Sequence, residues 1–150
     1  MEERLVIFEM NGEAYGIDVT CVQSIIPLQP INVVPGAPAF IEGIINLRGA
    51  VVPVVDLRAR FNMPLPSQNH KSMIVIVELS HLRLGLIVDK VTDVTKIARE
   101  EIEPPSPLLT SLETAYLRGI GKVKERLVIL LDLGRVFSIE EQTGLIQTTA

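Results

Sequence analysis

The sequence predicts a mainly β protein built from two similar units, and two observations support this prediction. Ten prolines and ten glycines divide the 150 residues into short pieces, and the apolar pieces are four to six residues long, which is typical of strands rather than helices. The two halves of the chain also resemble each other weakly, as the copies of a duplicated unit would. A unit of ~70 residues with about five short strands suits a small closed barrel, which leaves few unpaired edges.

β-branched residues dominate the predicted strands, and such residues fit a pleated sheet better than a crowded helix. In chain order the apolar runs are Leu5–Phe8, Gly16–Val19, Ala50–Val55, Met73–Val77, Leu84–Val88 and Leu127–Leu131. Each half also contains a Gly-Ile strand, at Gly43-Ile44 and at Gly119-Ile120. Two short helices are predicted, one near Leu57–Phe61 and one from Glu140 to the C-terminus. The stretches Asn62–Ser72 and Glu103–Pro107 are predicted to be surface connections. The predicted fold class is therefore all-β, with a short C-terminal helix.

The internal repeat is found at two offsets. At an offset of 69, Arg4–Ile25 aligns with Met73–Val94, and Gly16 meets Gly85. An offset of 76 aligns a second set of identical residues, namely Gly43-Ile44 with Gly119-Ile120, Asp56-Leu57 with Asp132-Leu133, and Phe61 with Phe137. Val- and Ile-rich strands can resemble one another through composition alone, but here glycine, aspartate and phenylalanine match as well.

The repeat predicts how the chain is organised. We expect one domain over residues 1–150, made of two barrel halves at about 1–66 and 67–150. Alternate residues of a strand face the same side. Four residues of equivalent strands should therefore point into the two cores: Val52, Val54, Val128 and Leu130.

Composition excludes several classes of function. Fourteen basic and eighteen acidic residues give a net charge of −4, so there is no basic excess to hold nucleic acid through its phosphates. The single cysteine, Cys21, excludes an internal disulfide and a zinc site of paired thiolates. The two histidines, His70 and His81, lie in predicted loops, so we expect no catalytic constellation, metal or cofactor. The chain has no apolar run near the ~18 residues of a membrane span and no signal-peptide pattern, which predicts a cytosolic protein.

The densest apolar stretch is Pro38–Phe61, where Asn46-Leu47-Arg48-Gly49 joins two predicted strands. Asn and Gly suit a tight turn, and Arg48 projects from that turn with a rigid five-donor guanidinium. From the pattern alone, two interpretations of Arg48 remain open. It is either paired with a surface carboxylate of its own chain or it contacts a partner.

At these residues the sequence resembles the CheW family of bacterial chemotaxis coupling proteins. The resemblance extends from about Leu5 to Phe137, and the run Asn46–Leu57 is its most specific part. Four stretches carry it in the family's order: Tyr15-Gly16-Ile17-Asp18 with Val22-Gln23, then Pro38–Phe61, then Gly85–Asp89 with Val91 and Asp93-Val94, and finally Tyr116-Leu117 through Leu131. The chain is similar to the free-standing adaptor rather than to the forms fused to a receiver domain or a kinase.

The resemblance implies a fold, a function and partners. The implied fold is two five-stranded SH3-like β-barrels packed together, with a further apolar core between them. Family members have no catalytic activity and bridge the cytoplasmic tip of methyl-accepting chemotaxis receptors to the regulatory domain of the CheA histidine kinase. The protein is then expected in the cytoplasm, recruited to membrane-associated receptor arrays, with no nucleic acid partner and no direct membrane insertion. The alternative is a small β-barrel protein that binds a ligand or nucleic acid, which rests on fold analogy alone.

The resemblance also implies site residues. A receptor tip is a helical hairpin, and a groove between two barrels accepts one helix face through apolar anchors and a polar residue that fixes the register. Gly43 matches a family position linked to kinase binding, where a side chain would hold the partner's backbone away. Ser24 stands where better-known members carry an acidic residue, so the local receptor contact is expected to be more apolar here. The receptor-binding positions implied by similarity are Val22, Ser24, Arg48, Met73 and Val94.

Overall fold

The structure, a computed structural model, describes residues 2–37, 41–60, 72–79, 82–104 and 117–136. Two short α-helices, α1 (Leu57–Arg60) and α2 (Leu133–Val136), accompany ten strands in these residues. The predicted helix near Leu57–Phe61 is confirmed as α1, and the one predicted from Glu140 onward lies outside the described residues. The strands are β1 (Glu2–Met10), β2 (Glu13–Asp18), β3 (Val22–Pro27), β4 (Ile41–Leu47), β5 (Ala50–Asp56), β6 (Met73–Leu79), β7 (Leu82–Val88), β8 (Lys90–Ala98), β9 (Leu117–Val123) and β10 (Arg126–Leu131).

The strands form two five-stranded sheets, which confirms the predicted all-β fold class. The sheet with the order β8-β1-β2-β10-β9 is barrel 1, and the sheet with the order β3-β6-β7-β5-β4 is barrel 2. The neighbouring strands are antiparallel except β2 with β10 and β5 with β7, which are parallel. Strands β1–β5 correspond to β6–β10 in the repeat. Exchanging each strand for its counterpart converts one strand order into the other, so the predicted repeat is present in the topology.

The division of the chain between the barrels corrects the predicted boundaries. Barrel 1 takes β1 and β2 from the first half and β8–β10 from the second, and barrel 2 takes the remaining strands. Residues 1–66 and 67–150 are therefore the two repeats but not the two barrels. A 3₁₀ turn at Val19–Cys21 carries the chain from β2 in barrel 1 to β3 in barrel 2. Because equivalent strands offer equivalent partners, the repeat alone does not distinguish pairing within one half from pairing across halves.

Each barrel has its own apolar core, and the two cores use equivalent positions. The predicted inward-facing residues Val52, Val54, Val128 and Leu130 are at most 1% exposed, so that prediction is confirmed. The core of barrel 1 consists of Leu5, Ile7, Ala14, Ile97, Val128 and Leu130. The core of barrel 2 consists of Ile45, Val52, Val54, Ile74, Ile76 and Ile87.

A third and larger cluster lies between the barrels, and we call it the central cluster. It joins barrel 1 residues such as Phe8 and Ile17 to barrel 2 residues such as Leu84 and Leu86. Among the described residues it contains sixteen buried side chains, and fully burying one such side chain stabilises a fold by ~1.5–3 kcal/mol. The two barrels are therefore expected to unfold as one unit.

A buried ionic network also connects the barrels. Arg58, 1% exposed, donates to Asp56 through Nε at 3.0 Å and Nη2 at 2.9 Å, and to Asp89 through Nη1 at 2.8 Å. Asp89 accepts a hydrogen bond from the backbone N–H of Asn11 at 2.7 Å and donates its own N–H to the carbonyl of Glu9 at 3.0 Å. Asp56 is the last residue of β5 and Asp89 directly follows β7, both strands of barrel 2. Glu9 and Asn11 belong to the β1–β2 hairpin of barrel 1. The network thus holds the barrels in one relative position.

The described helices are short. α1 and α2 have four residues each, against the ~20 apolar residues that cross a bilayer. Within the described part of the chain, no helix is long and apolar enough to span a membrane.

Candidate functional site

Arg48 lies in a two-residue turn between β4 and β5 that fixes its position. Arg48 and Gly49 have φ angles of +52° and +85°, the combination of a type I′ hairpin turn. The Asn46 side chain accepts a hydrogen bond from the Gly49 N–H at 2.9 Å. The predicted turn is therefore confirmed, and it presents the Arg48 side chain to solvent. After β3, Gln29 Nε2 donates to the carbonyl of Asn46 at 3.4 Å, which brings the end of β3 close to this turn.

The equivalent turn of barrel 1 carries Lys124, which aligns with Arg48 at the offset of 76. Lys124 also has a positive φ, +51°. Its ammonium is 2.7 Å from a carboxylate oxygen of Asp93 on β8. The hydrogen bond from Lys124, aided by its charge, lowers the pKa of Asp93 below its ordinary value. In barrel 1, the cation at the turn is neutralised by its own chain.

The counterpart of Asp93 at the offset of 69 is Ser24, so barrel 2 lacks the carboxylate that pairs the cation in barrel 1. Among the residues that the structure describes, Arg48 has no salt-bridge partner. Of the two interpretations left open by the sequence, pairing with a surface carboxylate is therefore not found within the described part of the chain. Because position 24 carries a serine and not a carboxylate, it offers no ionic partner to the Arg48 guanidinium, which can then bind a carboxylate of another protein.

Val22, Ser24 and Met73 lie on the neighbouring strands β3 and β6 of barrel 2. Val22 and Met73 are half-buried and pack against the edge of the central cluster. Ser24 is separated from Val22 by a shift in the strand register, and such a bulge re-aims side chains. It shares a strand face with Ile26, which packs against the core of barrel 2. Val22 and Met73 therefore lie beside the central cluster that joins the barrels, and Ser24 lies on the same face of β3 as Ile26.

Val94 lies in the other barrel, on the outer strand β8 opposite Val6. Its side chain is 56% exposed, whereas its repeat counterpart Ile25 packs against the central cluster. Arg4 and Lys96 line the same shallow depression as Val94. Val94 is therefore an uncovered apolar side chain with basic neighbours, a combination suited to an acidic amphipathic helix.

Gly43 is buried in β4, and the space beside it is occupied by the protein itself. A Cβ atom at this position would come 2.3 Å from the carbonyl oxygen of Asn32 and 2.6 Å from a side-chain carbon of Ile31. The backbones of Asn32 and Ile44 exchange hydrogen bonds at 2.8 and 2.9 Å, which holds this segment against β4. A side chain at Gly43 would therefore first displace residues 31–32, and not directly a partner's backbone.

The described residues hold no group of histidine, cysteine, aspartate and glutamate side chains that could bind a metal ion. Cys21 is half-buried. Burial, together with the negative charge of Asp18, raises the pKa of its thiol, and a raised pKa makes a thiol less reactive. Binding surfaces, and not reacting groups, are the prominent features of this part of the chain.

Comparisons with known proteins agree with this reading. A family model described as a CheW-like domain matches residues 4–141. The chain is 34% identical to the chemotaxis protein CheW of Klebsiella aerogenes, covering 93% of this chain and 84% of that protein. It is 34% identical to the chemotaxis protein CheW of Bacillus subtilis, covering 99% and 95%. The crystal structure of the scaffolding protein TtCheW from Thermoanaerobacter tengcongensis is similar with a TM-score of 0.83 at 38% identity, over 94% of this chain and 91% of that one.

Proposed function

The chain belongs to the CheW family, and we propose that it is a non-enzymatic scaffold that couples chemotaxis receptors to a CheA-type histidine kinase. One surface would bind the cytoplasmic tip of a methyl-accepting chemotaxis receptor, and another would bind the regulatory domain of the kinase. The protein would work in the cytoplasm at membrane-associated receptor arrays, without a cofactor. The alternative of a ligand- or nucleic-acid-binding barrel is not favoured, because the net charge of −4 opposes phosphate binding.

The guanidinium of Arg48, which has no ionic partner among the described residues, is the observation that carries the receptor-binding proposal. An arginine on a fixed turn offers several donors in one plane, which suits carboxylates and exposed carbonyls on a receptor helix. Lys124, at the equivalent turn, is already paired with Asp93 at 2.7 Å. The equivalent turns of the two barrels therefore differ: Lys124 is paired within the chain, whereas Arg48 has no ionic partner in the ranges that the structure describes. This difference supports a receptor contact at barrel 2.

The groove between the barrels would supply the apolar part of the receptor contact. Val22 and Met73 are half-buried against the central cluster, and a docked helix would complete their burial. Val94, on barrel 1, is exposed and has basic neighbours. An amphipathic helix that reached Arg48 with a carboxylate and the groove with its apolar face would use both kinds of contact.

The kinase contact is proposed at Gly43 and the segment that covers it. Because Gly43 is buried beneath Asn32, a partner would touch the segment and not the glycine. Val33, the next residue, is 79% exposed and gives this surface an apolar side chain. A substitution at Gly43 would then act on kinase binding by moving residues 31–33.

The test is charge reversal at Arg48. We expect Arg48→Asp to weaken receptor binding by at least about tenfold, or ~1.4 kcal/mol, because it replaces an attraction by a repulsion at the interface. The melting temperature should change little, since an exposed site contributes no more than ~1 kcal/mol, and kinase binding should persist. Calorimetry with a receptor-tip fragment, paired with a thermal melt, measures both quantities.

Lys124→Asp is the matched control. It makes the same change of charge at a turn residue with the same backbone conformation, but in barrel 1. Receptor affinity should fall clearly less than in Arg48→Asp, because Lys124 is already paired with Asp93 within the chain. Equal losses for both variants would mean that only net charge matters, and an unchanged affinity for Arg48→Asp would refute the receptor contact at this residue.

A further inference from the structure

A cavity of about 300 Å³ opens beside α2, at the place where the second repeat lacks an arginine that the first repeat has. We call it the Gly134 cavity. Its lining includes Asp18, Cys21, Asp132 and Gly134, together with Glu3 and Arg118. Arg48, Val22, Ser24, Met73 and Val94 are not among its lining residues.

The equivalent place in the first repeat is filled by the guanidinium of Arg58. At the offset of 76, Asp56 corresponds to Asp132 and Arg58 corresponds to Gly134. Asp56 holds the guanidinium with two hydrogen bonds of 2.9 and 3.0 Å, and Asp89 adds a third. The first repeat is therefore an occupied version of the same site, and its occupant is a guanidinium.

The second repeat keeps the local geometry of that site. Oδ1 of Asp132 accepts the backbone N–H of Gly134 at 3.0 Å, as Oδ1 of Asp56 accepts the backbone N–H of Arg58 at 2.9 Å. Both aspartates precede a four-residue helix by one residue. The carboxylate thus accepts the same backbone hydrogen bond in both repeats, but the second repeat has no buried arginine at the position of Arg58, and Asp132 forms an ion pair only with the exposed Arg135 among the described residues.

A second carboxylate is also present in the cavity. The counterpart of Asp89 is Thr20, whose N–H and hydroxyl both donate to Asp18 at 2.9 Å. Asp18 lines the cavity together with Asp132. Cys21 lines the same cavity, and burial together with the charges of both aspartates raises the pKa of its thiol.

The cations around the cavity are already engaged. Arg99 and Arg118 both pair with Glu3. Arg135 contacts Asp132 at 3.5 Å from a side chain that is 67% exposed, and such an exposed pair is easily exchanged for another. Asp18 and the remaining capacity of Asp132 are therefore available to an incoming cation.

We propose that the Gly134 cavity binds an arginine side chain presented by a partner protein, with its guanidinium between Asp132 and Asp18. The occupant would reproduce in trans the contacts that Arg58 makes in cis. A planar guanidinium matches a carboxylate with two parallel hydrogen bonds, which an ammonium does not. The proposal does not depend on the receptor or kinase assignment, because it rests on the repeat and on the cavity alone.

The test uses a small probe and backbone amide NMR. We expect N-acetyl-arginine-N-methylamide to shift the amide signals of Thr20 and Gly134 in a saturable way. The corresponding lysine amide should bind at least about fivefold more weakly, and the glutamate amide should leave both signals unchanged. Equal binding of the arginine and lysine amides, stronger binding of the glutamate amide, or no shift with any probe would overturn the proposal.

Two variants separate the proposed contacts from general effects. Gly134→Arg should fill the cavity from within, raise the melting temperature and abolish the response to the arginine amide. A Cβ at Gly134 would come 3.3 Å from Asp132 Oδ1, a tight contact that a small shift of the partly exposed Asp132 side chain would relieve. Gly134→Ala is the control for helix propensity and should keep the response.

Asp132→Asn decides the question if Gly134→Arg does not fold. It keeps the size of the side chain and removes the charge, so it should weaken the arginine amide at least about fivefold. An unchanged response in Asp132→Asn, or an unchanged response in folded Gly134→Arg, would show that the probe binds elsewhere.

Discussion

Arg58 provides the strongest test of how the two barrels are held together. Replacing Arg58 by Ala removes three side-chain hydrogen bonds of 2.8–3.0 Å and leaves the carboxylate of Asp56, 3% exposed, without a cation. Breaking a buried pair in this way costs about 3–5 kcal/mol. Asp89 remains partly exposed to solvent and keeps its hydrogen bond from the Asn11 N–H. Most of the lost stability therefore arises at Asp56. For a chain of this length, such a loss lowers the melting temperature by roughly 6–20 °C.

The assay is urea unfolding followed by circular dichroism, with a thermal melt beside it. Arg135→Ala is the control, because Arg135 lies on the equivalent helix but is 67% exposed and 3.5 Å from its carboxylate. It should cost no more than about 1 kcal/mol. A decrease in the free energy of unfolding of less than about 1 kcal/mol for Arg58→Ala, or equal decreases for the two variants, would refute the view that the buried network stabilises the fold.

Three further predictions concern the core and the two binding surfaces. Val54→Asp should unfold the whole protein in one transition, because it buries an unpaired charge in a barrel that shares the central cluster; circular dichroism showing half of the structure retained would contradict this. Gly43→Lys should lower both the affinity for the kinase domain and the melting temperature. Val33→Lys, at an exposed position, should lower only the affinity for the kinase domain, by about tenfold or less. Calorimetry that finds no loss of affinity for Val33→Lys would argue against a kinase contact at this surface. Ser24→Asp should pair Arg48 within the chain, as Asp93 pairs its lysine, and weaken receptor binding by about threefold to tenfold; stronger binding measured by interferometry would reverse the reasoning.

The sequence predicted the buried strands well and the outer strands poorly. β5, β6 and β7 are recognisable because their apolar runs are buried on both faces. β3 and β8 were missed as strands. In β8, exposed residues alternate with half-buried ones, so the run lacks the apolar density that marks a core strand. Both are outer strands of their sheets, where polar residues are common.

The buried network could not be predicted, because charged residues are rarely fully buried and no pattern in the sequence identifies the few that are. Arg58 depends on Asp89, 31 residues away along the chain, and only the fold brings them together. The assignment of strands to barrels had the same difficulty, since equivalent strands are interchangeable as partners.

The candidate site was predictable in part. The turn at Arg48 follows from Asn46 and Gly49, and the structure contains it. The lack of a partner for Arg48 was also within reach of the sequence, because the two offsets align Lys124 with Arg48 and Asp93 with Ser24. The close approach of Asn32 to Gly43 was not, since the segment that covers the glycine is eleven residues earlier and has no pattern of its own.

Simultaneous binding of both partners tests the scaffold proposal most directly. A receptor-tip fragment is immobilised on an interferometry sensor, the protein is bound to saturation, and the kinase regulatory domain is added. We expect a second, additive response that requires the protein and is reduced when Arg48→Asp weakens the first step. Displacement of the protein by the kinase domain, or a kinase domain that binds the free protein but not the receptor-bound one, would contradict a bridge between two surfaces.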